Sequence, residues 1–386
     1  MQHFRFGDHG PFQGKHATLK RPREITEFSF DESHVLHTLD SRSLRYYYPP
    51  FFKTPHNPHE PGISLSKGFQ SFKRHEEQED THLNPLIETV IQYEEKTKTK
   101  LDPTILTWRG MMTKILSAPF DRFGEFKMNA TYFDGTIYIE ENFAAKMAEG
   151  DLAKRDFNYH GKTQEEMTYW GYKFETLSTI PRAWDDCSRD EIENRESDVV
   201  SNHAQYCSVV RTGVGKHNII IGGEVDAVMG CKPDHPADQI PYVELKTSED
   251  FSPDDRKSAV KFERKMCRFW AQSYLLGVPT IVVGFRSKNG ILQRIEEWNT
   301  LDIPKMVNQN GQTWNAWVCL NFASQFLDFL KEHVTSDGCW TVERRKGNAE
   351  ITMYRINDEY SRDIVPPKFR KHREEFSFEK SIFDET

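Results

Sequence analysis

The 386-residue sequence contains no apolar run of about eighteen residues, the length that a membrane-spanning helix needs. Residues 1–20 also lack the pattern of a secretory signal peptide. Hydrophobic residues make up 37% of the chain and aromatic residues 13%, which is enough for a sizeable core. We therefore expect a soluble intracellular protein that has no membrane partner.

Closely spaced cysteines are absent too. The six cysteines are far apart, and no two form a Cys-x-x-Cys pair: Cys187, Cys207, Cys231, Cys267, Cys319 and Cys339. This spacing predicts neither a zinc site nor a disulfide framework. A reducing compartment follows from that usage.

An excess of positive charge is missing as well. The formal net charge is −8, which argues against binding duplex nucleic acid through many phosphate contacts. A single-stranded end that enters a locally basic pocket needs far fewer phosphate contacts. The basic runs at 20–23 and 368–373 could act as nuclear import patches, although short runs of this kind are usually solvated surface.

Two short segments, 222–228 and 241–246, carry the most chemical information that is present. Read as strands, they place Glu224 with Asp226, and Glu244 with Lys246, because residues i and i+2 share a face. If the strands are neighbours, three carboxylates and an ammonium converge. Such oxygen ligands suit Mg²⁺ or Mn²⁺, and they indicate a nuclease core with a Glu-x-Lys motif. The alternative is a half-buried strand with a solvated charged face.

Two further elements favour the nuclease interpretation. The run Trp170-Gly171-Tyr172-Lys173-Phe174-Glu175 ends in another carboxylate, and Arg109 stands between Trp108 and Gly110. An arginine can clamp a phosphate with its planar fork of donors. It can equally pair with a carboxylate for structural reasons.

Gln272 and Cys207 each have a structural alternative. The segment 260–276 has the apolar spacing of an amphipathic helix, so Gln272 could be a satisfied core amide. Its position two residues after Trp270 favours an inward-facing polar group that needs a partner. Cys207 could simply be a small buried apolar residue.

The motifs are scattered from residue 109 to residue 272 and must converge on one site, so we expect one domain over 1–386. We expect an extended loop around 49–82 and a loosely held tail over 366–386. Helices are predicted at 83–97, 140–150, 255–276 and 317–333. A hairpin is predicted over 126–139, with its turn at Asp134-Gly135. Further strands are predicted within 202–228, at 280–286 and at 291–298.

Taken together, these residues resemble the DXO/Rai family of RNA 5′-end decapping enzymes. Arg109 and the runs 171–175, 224–226 and 244–246 stand in the order and approximate spacing of the four family motifs. Segments 40–50, 107–116, 206–210, 269–286 and 316–322 also look like family segments. The match is weaker around His34 and around 76–80. The resemblance implies an α/β fold, a mixed β-sheet core flanked by helices, of the PD-(D/E)xK nuclease type.

The same resemblance implies roles for individual residues. Two divalent ions, Mg²⁺ or Mn²⁺, would be held by Glu175, Glu224, Asp226 and Glu244, with the Leu245 carbonyl close to the second ion. Catalysis is assigned to those four carboxylates together with Lys246 and Gln272. The substrate would contact Trp108, Arg109, Gly110, Cys207, Glu224, Lys246 and Gln272.

The implied function is the removal of defective 5′ ends from single-stranded RNA. Triphosphate ends would lose pyrophosphate, unmethylated caps the cap dinucleotide, and NAD-capped ends their NAD. A fungal nuclear Rai-type member would also stimulate a 5′→3′ exoribonuclease of the Rat/Xrn type. We expect a nuclear and also a cytoplasmic location, and 5′→3′ exonuclease activity stays open. The alternatives are a DNA endonuclease or repair nuclease with the same metal motif, and a non-enzymatic subunit that stabilises an exoribonuclease.

Overall fold

The structure, a computed structural model, describes residues 1–383 apart from 8, 15–16, 51–61, 157–159, 234–238, 253 and 311–312. The described strands are β1 (Gln2–Arg5), β2 (Leu19–Phe30), β3 (Leu36–Thr38), β4 (Tyr46–Tyr47), β5 (Thr99–Lys100), β6 (Ile105–Trp108), β7 (Phe126–Phe133), β8 (Thr136–Glu141), β9 (Thr179–Ile180), β10 (Gln205–Val214), β11 (His217–Glu224), β12 (Ala227–Val228), β13 (Tyr242–Glu249), β14 (Thr280–Arg286), β15 (Leu292–Asn299), β16 (Cys339–Arg344), β17 (Glu350–Ile356) and β18 (Lys380–Ser381). The helices are α1 (Asn84–Thr97), α2 (Arg109–Ser117), α3 (Phe143–Asp156), α4 (Gln164–Leu177), α5 (Arg189–Glu193), α6 (Arg256–Leu276), α7 (Ile303–Asn310), α8 (Ala316–His333), α9 (Ser361–Ile364) and α10 (Pro367–Glu375).

Two mixed sheets form the centre of the molecule, and helices flank both. The large sheet has the strand order β1-β17-β16-β7-β8-β6-β11-β10-β2-β3, and the small sheet has the order β15-β14-β13-β12-β4-β9. A third pair joins β18 to β5. The predicted mixed sheet core flanked by helices is therefore confirmed. Among the described residues, no helix has both the length and the apolar character that crossing a bilayer would require.

Alternating side chains of the large sheet contribute to two separate cores. On β10, Tyr206 and Val210 belong to a core that also contains buried residues of α2, α6 and α8. Cys207 and Val209 belong to a second core that contains residues of α1 and α10. The alternation is the two-residue period of a strand with both faces covered. A third core lies between α4 and the small sheet.

Local sequence signals explain several element boundaries. Asp134 and Gly135 have φ angles of 47° and 85°, as a tight primed turn requires, and they join β7 to β8 at the predicted hairpin. Asp255 caps α6 by accepting hydrogen bonds from two backbone N–H groups, and Gly277 ends that helix with φ 72°. The helix predicted over 255–276 is therefore confirmed.

The segment 222–228 differs from its prediction as one continuous strand. Strand β11 ends at Glu224 in the large sheet, and β12 begins at Ala227 in the small sheet. The chain therefore crosses between the sheets at Val225 and Asp226, so Glu224 and Asp226 do not share one strand face. The condition that the two segments are neighbours is met, because β12 pairs with β13.

The run 170–175 is helical and belongs to α4. Of the expected loop 49–82, residues 51–61 lie outside the described residues. Its remaining part makes isolated bridges between Ser64 and Ile291 and between Lys73 and Ser201.

A loosely held tail is expected after residue 366, but residues 367–383 are attached by specific contacts. Phe369 is fully buried, and β18 pairs with β5. Arg373 forms an ion pair with the buried Glu94 of α1, and His372 is hydrogen-bonded to the same carboxylate. The tail shows no clear apolar face in the sequence because several of its inward-facing side chains are charged.

Candidate active site

The predicted site residues come from elements that meet where the two sheets adjoin. Glu224 ends β11, Asp226 lies in the crossing segment, and Glu244 and Lys246 lie on β13. Arg109 is the first residue of α2. Glu175 lies in the last turn of α4, Gln272 near the end of α6, and Cys207 on β10, directly opposite Glu224.

Glu244 is the buried centre of this arrangement. Its side chain has no solvent exposure, and its Oε2 atom accepts a hydrogen bond from Arg109 Nη1 at 2.9 Å. The ammonium of Lys246 lies 2.5 Å from Oε1, so each oxygen of this buried carboxylate contacts a cation. Burial alone would raise the pKa of Glu244, but the positive charges of Arg109 and Lys246 outweigh it and lower that pKa. Glu244 is therefore ionised, and its carboxylate oxygens can still coordinate a further cation.

Asp226 and Glu175 lie beside this pair in surroundings that disfavour their ionised form. Asp226 Oδ2 accepts a hydrogen bond from the Leu245 N–H at 2.6 Å and lies 3.9 Å from Lys246 Nζ. Burial, followed by the charge of Glu244, raises the pKa of Asp226 to about 7. Burial, followed by the charges of Asp226 and Glu224, raises the pKa of Glu175 well above its ordinary range. The two cations present thus do not neutralise the whole carboxylate set.

The donor set fits a hard divalent cation. Buried carboxylates with raised pKa values are groups that an added cation would stabilise in their ionised form. No three ligand atoms of the four predicted carboxylates lie within 4.8 Å of one another. Mutual repulsion, and the attraction of Glu244 to Arg109 and Lys246, account for that spacing.

Two glycines allow the elements around the site to pack closely. A Cβ atom on Gly222 would lie 2.9 Å from the Trp108 ring, and one on Gly223 would lie 2.9 Å from Arg109 Cβ and 2.8 Å from Leu276. Contacts below 3.0 Å require the neighbouring atoms to shift. The Gly-Gly pair before Glu224 therefore allows α2 to bring Arg109 next to Glu244.

The start of α2 forms an accessible wall beside the carboxylates. Trp108 precedes the helix, and no described side chain caps the first N–H groups. These N–H groups give the helix start a partial positive charge. Gly110 is exposed, with open space where a Cβ would be. This wall could receive an anionic ligand.

Cys207 and Gln272 adjoin the site differently. Cys207 is buried, and burial raises the pKa of its thiol well above the ordinary value, so the thiol is neutral. Gln272 is half-buried on α6, a helix that packs against α2. Its amide makes no hydrogen bond to the part of the chain that the structure describes. The predicted roles of both residues stay predictions.

A second polar cluster next to Trp108 was not found from the sequence. Asp80, His82 and Glu140 bring one ligand atom each within 4.8 Å of one another. His82 Nδ1 lies 3.0 Å from the buried Glu140 carboxylate, and the His82 carbonyl accepts a hydrogen bond from the Trp108 indole at 3.4 Å. The acidic stretch 76–80 was the available signal, but Glu140 is distant in sequence and joins it only in the fold.

Comparisons with known proteins agree with this geometry. A family model described as "RAI1 like PD-(D/E)XK nuclease" matches residues 20–370. The "Decapping nuclease RAI1" of Neurospora crassa is 46% identical over 364 residues, covering 94% of this chain and 85% of the relative.

Two solved structures are also similar. The crystal structure of Candida albicans Rai1 in complex with pU5-Mn²⁺ has a TM-score of 0.87 and 30% identity, with 97% of this chain and 100% of that chain covered. Scheffersomyces stipitis Rai1 in complex with (3′-NADP)⁺ and calcium has a TM-score of 0.85 and 26% identity, with 97% and 100% covered. The family match and the identity to its curated relatives show that this chain belongs to the RAI1-like PD-(D/E)XK nuclease family.

Proposed function

We propose that this chain is a metal-dependent hydrolase that removes defective 5′ ends from RNA. The observation that carries the proposal is the buried Glu244 carboxylate, held between Arg109 and Lys246 beside further carboxylates. Asp226 and Glu175 lie close by with raised pKa values. The relatives' name and the RNA and dinucleotide ligands of the two solved structures support the same substrate class.

The carboxylates of Glu175, Glu224, Asp226 and Glu244 would hold the divalent ions, with the Leu245 carbonyl near the second. Bound Mg²⁺ or Mn²⁺ would supply neutralisation of phosphate charge and acidification of water. The ionised state of Glu244 prepares the site for a cation, and the N–H of Leu245 fixes the orientation of the Asp226 carboxylate.

The basic residues have separable tasks in this proposal. Lys246 lies on the same strand face as Glu244 and places its ammonium where it would contact the reacting phosphate or water. Arg109 would bind a phosphate whose charge does not change during the reaction. Its guanidinium would either leave Glu244 to do so or contact Glu244 and the phosphate at the same time. Gln272 would position the attacking water. Trp108, Gly110 and Cys207 would line the path of the first nucleotides.

The proposed substrates are three kinds of RNA end. Water attacks a phosphate in the 5′ linkage, and the released products are pyrophosphate from triphosphate ends, the cap dinucleotide from unmethylated caps and NAD from NAD-capped ends. We further propose a nuclear location and stimulation of a 5′→3′ exoribonuclease of the Rat/Xrn type. Both rest on resemblance to the nuclear members of the family.

The test is incubation of triphosphorylated, GpppN-capped, methylated-capped and NAD-capped RNAs with purified protein and Mg²⁺ or Mn²⁺, with the released products resolved. We expect the listed small molecules and a 5′-monophosphorylated RNA, with EDTA stopping the reaction and either ion restoring it. The double variant Glu224→Ala/Asp226→Ala should be inactive and folded.

Two controls separate the alternatives. Closed circular DNA should stay uncut, and its cleavage would favour the endonuclease interpretation. An exoribonuclease added alone and with the double variant tests whether stimulation is independent of hydrolysis. Activity after complete chelation, or in the double variant, would overturn the proposed metal mechanism.

A further inference from the structure

A large cavity lies along the outer edge of β2, separate from the candidate active site. Its volume is about 740 Å³, which is within the usual size of small-molecule sites. Among the described strands, β3 alone pairs with this edge of β2, and only over residues 28–30. The end of α1 and the turns at 276–279 and 299–301 form further walls. None of the residues assigned to the candidate active site lines this cavity.

Positive charge predominates in the lining, although the whole chain has a formal net charge of −8. Four basic and two acidic side chains line the cavity: Arg21, Arg23, Lys96, Lys232, Glu24 and Glu27. The first three basic side chains are exposed. Within the ranges that the structure describes, no residue forms an ion pair or a hydrogen bond with any of these three. A cavity whose cations lack partners attracts an anion.

The other charged groups of the lining satisfy one another. Glu24 Oε2 accepts hydrogen bonds from the hydroxyls of Tyr242 and Ser208, each at 2.6 Å. The Lys232 ammonium lies 2.5 Å from Glu24 Oε1 and also contacts the Glu27 carboxylate. This paired network leaves Arg21, Arg23 and Lys96 as the cations that a ligand could bind.

A pair of tyrosines joins this network to the segment that crosses between the sheets. The hydroxyls of Tyr206 and Tyr242 lie 2.7 Å apart. The Tyr206 carbonyl accepts a hydrogen bond at 3.0 Å from the N–H of Val225, which lies between Glu224 and Asp226. Tyr242 precedes Glu244 by two residues on β13, so the two side chains share a strand face. The network therefore contacts both elements that hold the predicted metal ligands.

The remaining lining suits a planar ring. Tyr274 is half-buried and stacks on Trp270, with 5.0 Å between ring centroids and 24° between planes. Leu276 and Val278 contribute apolar surface beside it. An aromatic body packs well against such side chains, and arginine binds phosphate through its planar fork of donors. A ligand with a ring at one end and several phosphates at the other matches both parts of the lining.

We propose that this cavity binds a nucleoside triphosphate and that the Tyr206–Tyr242 pair couples its occupancy to the crossing segment. The phosphates would contact Arg21, Arg23 and Lys96, and the base would pack near Tyr274. Ligand contacts that order the network would also restrain the Tyr206 carbonyl and, through it, the Val225 N–H. Such coupling makes the cavity a regulatory site. The proposal does not depend on which RNA ends are hydrolysed.

The first test is isothermal titration calorimetry of the full chain with ATP and with GTP, in buffer freed of metal ions and held at pH 8. Under these conditions the unneutralised carboxylates of the candidate active site repel phosphate, so binding there is suppressed. We expect one nucleotide to bind per chain. The nucleoside alone and inorganic triphosphate alone should each bind at least about tenfold more weakly, because each lacks one part of the ligand.

The informative variant is Arg21→Ala/Arg23→Ala, which removes two cations of the cavity. It should weaken nucleotide binding about tenfold or more, as expected when charge-assisted hydrogen bonds are lost. The matched control is Arg345→Ala/Lys346→Ala, which removes the same charge from two exposed positions between β16 and β17. Those strands lie towards the opposite end of the large sheet from β2. The control variant should bind the nucleotide as the wild type does.

The second test measures the coupling by hydrogen exchange and mass spectrometry in the same metal-free buffer. A saturating nucleotide should slow amide exchange in the segment 222–228 of the wild type and of the control variant. The Arg21→Ala/Arg23→Ala protein, at the same nucleotide concentration, should show little slowing. Tyr242→Phe keeps the ring and removes the hydroxyl, so it should bind the nucleotide but protect 222–228 less.

Several results would overturn the proposal. One is a wild type that binds neither nucleotide, and another is equal binding by the cavity variant and the control variant. Inorganic triphosphate that binds as tightly as ATP would reduce the cavity to a phosphate site. Exchange in 222–228 that is unchanged by bound nucleotide, or slowed equally in Tyr242→Phe, would exclude coupling through the tyrosine pair. None of these results depends on RNA hydrolysis, so the proposed function is tested separately.

Discussion

Two buried carboxylates, Glu94 and Glu244, show how the same residue types serve different purposes. Glu94 is paired with Arg373 and His372, whose side chains are 2% and 7% exposed, and it accepts a hydrogen bond from the Leu101 N–H. Both of its oxygens have partners. Glu244 is paired with Arg109 and Lys246, which are 14% and 22% exposed.

The two clusters differ in how completely their charges are paired and in how accessible they are to solvent. The Glu94 cluster is closed to solvent, and it attaches α10 and the following chain to α1. The Glu244 cluster is open on its cationic side and is surrounded by further carboxylates whose charge the two cations do not neutralise. Burial of a charge is tolerated where it is fully paired, and an incompletely paired set needs something more. We infer that the first cluster stabilises the fold and that the second is kept for a ligand.

The largest expected effect is on the free energy of unfolding, which should respond differently when a carboxylate is removed from each of the two clusters. Glu94→Ala removes the buried carboxylate partner of Arg373 and leaves that arginine only Asp134 at 3.3 Å, so the free energy of unfolding should fall by up to about 3–5 kcal/mol. Asp226→Ala relieves repulsion among carboxylates and should leave stability unchanged or raised in metal-free buffer. Denaturant unfolding measures both. Glu95→Ala, at an exposed neighbouring position, is the control and should change stability by less than about 0.5 kcal/mol. A destabilised Asp226→Ala protein would contradict the comparison.

The next effect tests whether the cations of the open cluster act during catalysis. Lys246→Ala should lower kcat by about a hundredfold or more, as expected when one electrostatic contact to the transition state is lost. Arg109→Ala should act mainly on KM, and more strongly for longer RNAs, because it removes uniform binding. Steady-state kinetics on a triphosphorylated oligonucleotide distinguish them. If both variants shift KM alone, the catalytic role of Lys246 is wrong.

A smaller effect concerns the close packing behind the open cluster. In Gly223→Ala the new methyl group would crowd Arg109 and Leu276, and overpacking of this kind should cost about 1–3 kcal/mol. Activity should fall as well, since α2 is pushed away from Glu244. Gly171→Ala is the matched control, because its Cβ would meet nothing within 4 Å and its helix should gain up to about 1 kcal/mol. Thermal melts and activity assays of both variants test this prediction.

The smallest effect is a pH dependence next to Trp108. The hydrogen bond to Glu140 raises the pKa of His82 above its ordinary value. This stabilisation is therefore fully present below the unfolded pKa of histidine and is lost as pH rises through the folded pKa. Unfolding measurements between pH 6 and pH 9 should show a decline in the wild type that His82→Gln reduces. If the free energy of unfolding of His82→Gln declines with pH as it does in the wild type, the decline is due to other titratable groups.

Part of this architecture could be read from local sequence. The hairpin at Asp134-Gly135 and the long helix that starts after Asp255 follow from turn and cap chemistry, which depends on residues near in sequence. The pairing of β12 with β13 was a condition of the predicted metal site, and the sequence by itself did not establish it. The helical state of the run 170–175 was not evident, since aromatic residues two positions apart fit either structure.

The sequence by itself determined the fold class, the family and the set of acidic and basic residues at the candidate site, because these depend on residue type, order and spacing. Only the tertiary structure decided that Glu224 and Asp226 lie at a crossing between two sheets, that Glu244 takes both cations, and that the C-terminal segment is anchored on Glu94. It alone brought Glu140 to His82. The physical reason is that burial, pairing of charges and close approach arise from contacts between residues far apart in sequence, and local patterns do not encode those contacts.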